Sequence, residues 1–272
     1  MTPVRVGLIV PSSNPVIEGF LQRSPAASVL GLEVLVTRVR VRRIADDADA
    51  DAQFGVRALA DAAGLLADAE AALIAWAGTS GFWLGADKED DVLDQAGRAS
   101  GVPVTSSRAA VLSALAERPA APVGVLTPYV PDVHRRVVSA VAGARGDSGP
   151  VVADRGLGVE RNLDFAAIPA AVIDAELRGL AGQGAEALAV ICTNVLGLTS
   201  VLGLTSGTAR RPAVSTGGST GEGTAWSCRT VVVDSVLATL WHAARLGGGF
   251  SGSYADCCQQ LAARARAAGG AW

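Results

Sequence analysis

Short apolar runs alternate along this chain with longer stretches in which apolar residues recur at helical spacing. Residues 4–10 read as a buried strand, closed by Pro11-Ser12-Ser13-Asn14. Residues 32–41 are rich in Val and Leu and read as a second strand. The acidic stretch 46–51 suits a helix N-terminus, and its helix runs through Leu59, Leu65 and Leu66 to about Ala69. Next come a strand at 73–76, a helix over 88–99 ended by Gly101 ahead of Pro103, a short strand at 102–105 and a helix over 107–116. The second half keeps the rhythm. It predicts strands at 123–126, 151–152, 187–191 and 231–233, a helix opened by Pro131, and helices over 166–180, 235–246 and 254–268. Strands alternating with helices predict an α/β fold, with parallel sheets covered by helices on both faces.

The pattern is also duplicated. Val-Gly-Leu-Ile-Val-Pro-Ser in the first half matches Val-Gly-Val-Leu-Thr-Pro-Tyr in the second, so Gly7 pairs with Gly124, Pro11 with Pro128 and Ser12 with Tyr129. About 70 residues after each stands a second pair, Ala-Leu-Ile-Ala-Trp-Ala-Gly-Thr-Ser and Ala-Leu-Ala-Val-Ile-Cys-Thr-Asn, which matches Gly78 with Cys192. The expectation is two similar doubly wound lobes related by a pseudo-twofold axis, with the active site in the cleft between them. The first lobe is drawn at 1–117 and the second at 118–230, with 231–272 packing back onto the first. One region departs from the rhythm. Val-Leu-Gly-Leu-Thr-Ser occurs twice in tandem over 195–206, and the stretch 201–229 is rich in Gly, Ser and Thr. It reads as a neutral insertion or as a lid.

Composition narrows the class. Half of the 272 residues are hydrophobic, 18% are charged and 4% aromatic, which favours helices packed tightly on sheets over an all-β sandwich. The net charge is −3 and no basic stripe interleaves with aromatics, so a nucleic-acid partner is not expected. No apolar run has the ~18 residues of a membrane span and the N-terminus lacks a signal-peptide layout, so the expected location is cytoplasmic. Cys192, Cys228, Cys257 and Cys258, with only His134 and His242 beside them, do not form a zinc pattern, so no metal or other cofactor is expected.

Ligands of doubly wound sheets bind beyond the carboxyl ends of the strands. Four loops fall there: 11–14, 78–80, 127–129 and 192–194. Small hydroxyl residues next to helix starts present side-chain and backbone donors together, which suits a carboxylate or an oxyanion. A cysteine at a strand exit beside such donors is a proton-transfer candidate; inert packing is the plainer alternative. Each companion also has a plain reading. Thr79 and Ser80 can cap the next helix, Asn14 and Asn162 can be caps, Asn194 can brace its loop, and Tyr129 can sit at a wet rim. His134 is expected to face solvent and His242 to be structural. Phe82 and Trp83 are expected in the core or the pocket wall.

The motifs together resemble the aspartate/glutamate racemase superfamily, in its arylmalonate decarboxylase and maleate cis-trans isomerase branch. Val-Pro-Ser-Ser-Asn at 10–14 is similar to the isomerase opening motif. Gly-Thr-Ser at 78–80 is similar to the decarboxylase motif, where isomerases and racemases carry Cys-Thr-Ser. Thr-Pro-Tyr at 127–129, Asn162 and Cys-Thr-Asn at 192–194 complete the set, and Leu-Ala-Thr-Leu-Trp-His-Ala around Trp241 resembles the closing helix. The resemblance implies a small carboxylic acid substrate, no cofactor, and room for a homo-oligomer. It implies Cys192 as the acid, with Asn14, Gly78, Thr79, Ser80, Tyr129, Asn162, Thr193 and Asn194 around the substrate. Gly78 stands where two-base racemases and maleate isomerases need a first thiol. What the resemblance implies is therefore decarboxylation: an enediolate held by Thr79, Ser80, Tyr129 and the Thr193 N–H, then protonated from one side. A maleate-type isomerase and a non-catalytic carboxylate-binding homologue remain as alternatives.

Overall fold

The structure, a computed structural model, describes residues 2–41, 55–197 and 230–267. The acidic stretch 46–51 and the atypical segment 201–229 lie outside the described residues.

Two four-stranded parallel sheets form the frame. The first holds β1 (Val4–Pro11), β2 (Leu32–Val39), β3 (Leu73–Trp76) and β4 (Val104–Ser106), in the order β2-β1-β3-β4. The second holds β5 (Val123–Thr127), β6 (Val151–Gly156), β7 (Ala187–Val190) and β8 (Val231–Asp234), in the order β6-β5-β7-β8. The orders coincide once β5 is laid on β1, so the duplication read from the sequence is a duplication of topology. The second sheet extends past residue 230, because β8 is its edge strand.

The central strands β3, β5 and β7 are buried along their whole length. They are covered on both faces, which explains why they read as unbroken apolar runs rather than alternating ones. Each fully buried Val, Leu or Ile there contributes about 1.5–3 kcal/mol of transfer free energy. The repeated glycines have a packing cause. A Cβ on Gly7 would stand 2.7 Å from Leu66 Cδ1, and one on Gly124 would stand 2.9 Å from Leu188 and 3.1 Å from Leu180. Bare backbone at these two points lets the helices Val56–Asp68 and Ala170–Gly182 lie close on their sheets.

The lobes are joined by exchanged helices. Ser107–Ala116 follows β4 but packs on β7 and β8, while Ser235–Leu246 follows β8 but packs on β1 and β3. The two helices meet at the pseudo-twofold axis, where Ser107 Oγ and Thr239 Oγ1 are 2.7 Å apart. Both are buried on most sides, so neither shows a strong apolar stripe in the sequence. Tyr254–Ala267 then packs on the short helix Ala26–Val29 of the first lobe.

Some expectations need correcting. The helix expected over 166–180 is two helices, Asn162–Phe165 and Ala170–Gly182. Pro169 disfavours helical backbone at Ile168 and is itself extended, with ψ 138°. The helices that Asn14 and Thr79-Ser80 are expected to cap are Val16–Arg23 and Gly81–Leu84, whose extents the sequence pattern does not mark. Each lies just after a site loop, where small polar residues mask the start of helical periodicity.

Candidate active site

The C-terminal ends of β1, β3, β5 and β7 all open onto the cleft between the lobes, so the topology delivers the four loops to one place. The cleft is narrow and partly open, with a cavity volume of about 20 Å³. Its walls include Thr79, Ser80, Tyr129, Asn162, Cys192 and Thr193, with Gly78 at one edge and Pro11, Val41, Trp76 and Trp83 as the apolar part. No basic side chain is among the described residues that line it. A carboxylate here meets neutral donors, not a guanidinium or ammonium group.

Hydrogen bonds tie the loops of the two lobes across the cleft. Asn14 Nδ2 donates to Thr193 Oγ1 at 3.1 Å, and Thr193 Oγ1 donates to the Ala77 carbonyl at 2.9 Å. Thr79 Oγ1 and Tyr129 Oη are 2.7 Å apart. Asn162 Nδ2 donates to Ser13 Oγ at 2.8 Å. Asn194 Nδ2 donates to the carbonyls of Ser13 and Asn162, while its Oδ1 is buried with no partner among the described residues. Asn14 also caps the helix Val16–Arg23, since its Oδ1 accepts from Val16 N and Ile17 N at 2.9 and 3.3 Å. The cap and the bridge to the other lobe are thus made by opposite ends of one amide. Arg38 is spent on the first loop: it donates to the carbonyls of Pro11, Ser12 and Asn14 and pairs with Glu18.

Tyr129 is held rigidly. Its ring meets Trp83 edge-on at 5.1 Å and Phe165 at 5.5 Å, and the residue is 2% exposed, so the wet-rim alternative is excluded. The Tyr129 hydroxyl interacts with both Thr79 and Cys192, and burial pushes its pKa well above the ordinary range. Cys192 is a free thiol, 3% exposed. Burial pushes its pKa from 9.0 up to about 12, against the opposing effects of the Asn194 N–H, which donates to Sγ at 3.4 Å, and of the Tyr129 hydroxyl. The resting group is therefore a protonated thiol, able to give a proton but not poised to attack as a thiolate.

This shift has a consequence for stability. Between pH 9 and pH 12 the folded thiol keeps a proton that the unfolded chain has lost, so its contribution favours folding less as pH rises through that window. Melting curves at pH 8 to 11 are expected to show a steeper alkaline decline for the parent than for Cys192→Ser. Equal slopes would mean that Cys192 titrates normally.

Behind the first-lobe loop lies a buried ionic cluster absent from the sequence reading. Glu89 Oε1 accepts from Gly81 N at 3.1 Å, and Oε2 accepts from Ser106 Oγ at 2.9 Å and Arg108 Nε at 2.7 Å. Burial raises the Glu89 pKa, while the hydrogen bond and charge of Arg108 oppose that rise. The cluster fixes the turn that carries Thr79 and Ser80. Glu89→Gln keeps an acceptor for Gly81 but removes the charge facing Arg108, and is expected to cost about 1–3 kcal/mol in urea unfolding. An unchanged midpoint would mean that the carboxylate is not needed there. The sequence pattern does not reveal the cluster because its members lie on four separate elements.

His134 also needs correcting. It is 7% exposed rather than solvent-facing. Its ring bonds Thr127 Oγ1 and Asp154 Oδ1, each at 2.9 Å, and so ties the end of β5 to β6.

A family model for arylmalonate decarboxylase matches residues 47–249. The chain belongs to the arylmalonate decarboxylase family. Solved structures bear out the two-lobed fold of this family member. A doubly substituted, liganded arylmalonate decarboxylase, with a cysteine in place of one glycine and a serine in place of one cysteine, is 21% identical with a TM-score of 0.68; the match covers 93% of this chain and 97% of that one. A Cys-to-Ala variant of the maleate isomerase from Pseudomonas putida S16, with maleate, is 20% identical with a TM-score of 0.66, covering 88% and 90%. A Cys-to-Ser variant of the Nocardia farcinica maleate cis-trans isomerase, with a covalently bound succinylcysteine intermediate, is 24% identical with a TM-score of 0.66, covering 89% and 91%. No curated protein sequence matches the chain.

In this member of the arylmalonate decarboxylase family the cleft draws together Gly78, Thr79, Ser80, Tyr129, Asn162, Cys192 and Thr193. Asn14 and Asn194 are not among the lining residues; they brace the loops from behind. Trp76 is a further cleft residue: its indole lines the cleft and donates to Ser80 Oγ at 3.1 Å. Its position at the end of an apolar strand made it look like ordinary core. Among the described residues no helix is long and apolar enough to cross a membrane.

Proposed function

We propose that this protein is a cofactor-independent decarboxylase of a small disubstituted malonate-type diacid, with Cys192 as its proton donor. One observation carries the reading: a single buried thiol with its pKa raised to about 12 faces a cleft of neutral donors, and the matching position in the other lobe is Gly78.

The chemistry runs in two steps. The bond from the α-carbon to one carboxylate breaks, CO₂ leaves, and the electron pair spreads from the α-carbon into the remaining carboxylate as an enediolate. The α-carbon then takes the Cys192 proton, giving the monoacid and a thiolate. That thiolate, with a pKa of about 12, is basic enough to recover a proton from water. An enediolate is a stronger base than any resting carboxylate, so a weak acid suffices if it is held in place.

The remaining groups have separate tasks. The departing carboxylate faces Pro11, Val41, Trp76 and Trp83, which offer it little solvation, and loss of CO₂ removes that charge. The retained carboxylate gains charge as the reaction proceeds and meets donors fixed beforehand. Thr79 and Tyr129 form one relay, since their oxygens are 2.7 Å apart. Ser80 Oγ already accepts from Trp76, so its own proton remains for another acceptor. The N–H groups of Thr79, Ser80 and Thr193 are not engaged by protein acceptors among the described residues. Asn14, Asn162 and Asn194 keep the two halves of this donor set in register.

The test is turnover of an α-methyl-α-arylmalonate in D₂O. The reading requires CO₂ release and a monoacid carrying one deuterium in a single configuration. Binding without CO₂ release would favour a non-catalytic carboxylate-binding role. Conversion of maleate to fumarate with no action on malonates would favour an isomerase.

A further inference from the structure

The absence of a thiol at position 78 has a steric cause in this chain. Gly78 is not in the left-handed region, so its backbone does not require glycine. What it lacks is room. A Cβ at residue 78 would stand 2.4 Å from Trp76 Cζ2, 2.5 Å from Cε2 and 2.8 Å from Nε1. Comfortable contacts between such atoms lie near 3.5–4.0 Å. The indole cannot simply swing aside. Trp76 is 2% exposed, its backbone is paired in β3 with Ile9 and Ser106, and its N–H is bonded to Ser80 Oγ.

We infer that Trp76 is the residue that commits this cleft to one-sided proton delivery, because its indole occupies the space that any side chain at position 78 requires. The inference rests on the reading of Cys192 as the proton donor and adds to it a cause for the missing second thiol. Two-sided exchange needs a thiolate on one face of the α-carbon to remove its proton and a thiol on the other face to supply a new one. The removed proton stays on sulfur, and no oxidant or further reactant takes part. Trp76 excludes the second sulfur and at the same time orients Ser80, so one side chain shapes both the donor set and the reaction type.

Two measurements test this. The first does not depend on activity: a melting cycle of the parent, Gly78→Ala, Trp76→Leu and the double variant. Gly78→Ala is expected to lower Tm by about 2–10 °C when Trp76 is present and to have little effect on the Trp76→Leu background. Equal effects on the two backgrounds would overturn the steric claim. If Trp76→Leu fails to fold, Trp76→Phe replaces it in the same cycle.

The second follows loss of optical purity and deuterium uptake of an enantiopure 2-arylpropionate in D₂O. Gly78→Cys alone is expected to racemise it no faster than the parent, whereas Gly78→Cys/Trp76→Leu is expected to be at least about tenfold faster, a barrier difference near 1.4 kcal/mol. Racemisation by Gly78→Cys alone as fast as by the double variant would overturn the inference. So would a double variant whose introduced thiol is alkylated readily yet gives no racemisation above the single variant. If the parent itself fails to release CO₂ from malonates, the decarboxylase reading falls, while the melting cycle still decides the role of Trp76.

Discussion

Cys192→Ala is expected to lower kcat for an α-methyl-α-arylmalonate by about 10²–10⁴-fold, the range a positioned general acid contributes. The effect falls on kcat because the thiol acts on an enediolate that exists only after CO₂ has left; substrate binding depends on the neutral donors and apolar walls, which the substitution leaves in place. Cys192→Ser makes the test sharper. Serine nearly preserves the volume and the contact with the Asn194 N–H, but its hydroxyl is a much weaker acid than the thiol, so its rate is expected to fall close to that of alanine. Circular dichroism and melting would check that both variants fold. Undiminished turnover by either variant would remove Cys192 from the chemistry.

The raised thiol pKa also shapes the pH profile. A thiol with a pKa of about 12 remains protonated from neutrality to beyond pH 10, so any alkaline fall in rate below that pH should not come from Cys192. An ordinary cysteine would lose its proton near 9 and the rate would fall there. The same burial that makes Cys192 a poor nucleophile makes it a persistent acid, which separates this site from one that works through thiolate addition.

How much of this could be read from the chain depends on whether a feature is local. Strand positions and duplication were legible because buried parallel strands leave unbroken apolar runs, and because Gly7 and Gly124 answer the same demand for close helix approach in each lobe. The loops were legible because the fold sends the exits of β1, β3, β5 and β7 to one cleft. Three things were not. The break at Pro169 was masked by helix-favouring residues on both sides. The burial of His134 depends on Thr127 and Asp154, on two other elements. The role of Trp76 depends on its distance from a glycine two residues away, which the alternation of strand side chains would place on the same face. Spacing made that contact available, but only the geometry of the β3 exit turns it into a steric bar.

The donor pair gives the second large effect. Tyr129→Phe is expected to reduce kcat by about 10²–10³-fold, equivalent to roughly 2.7–4 kcal/mol of transition-state stabilisation, as for loss of one oxyanion donor. Thr79→Val is expected to fall in the same range, although Thr79 need not be the group that touches the enediolate. Its oxygen is 2.7 Å from that of Tyr129, so each hydroxyl fixes the proton of the other, and breaking either end disorders the relay. The double variant Thr79→Val/Tyr129→Phe should therefore be little slower than the worse single variant, because groups that act as a unit are not additive. Tyr129 has a further reason to dominate: its hydroxyl also interacts with Cys192 and opposes the rise in the thiol pKa, so it stabilises the thiolate left after proton delivery. Phenylalanine keeps the ring between Trp83 and Phe165, so the loss is confined to one oxygen. Strict additivity of the two substitutions would show that the hydroxyls serve different oxygens of the substrate. A kcat within twofold of the parent for Tyr129→Phe would leave the enediolate to the backbone N–H groups alone.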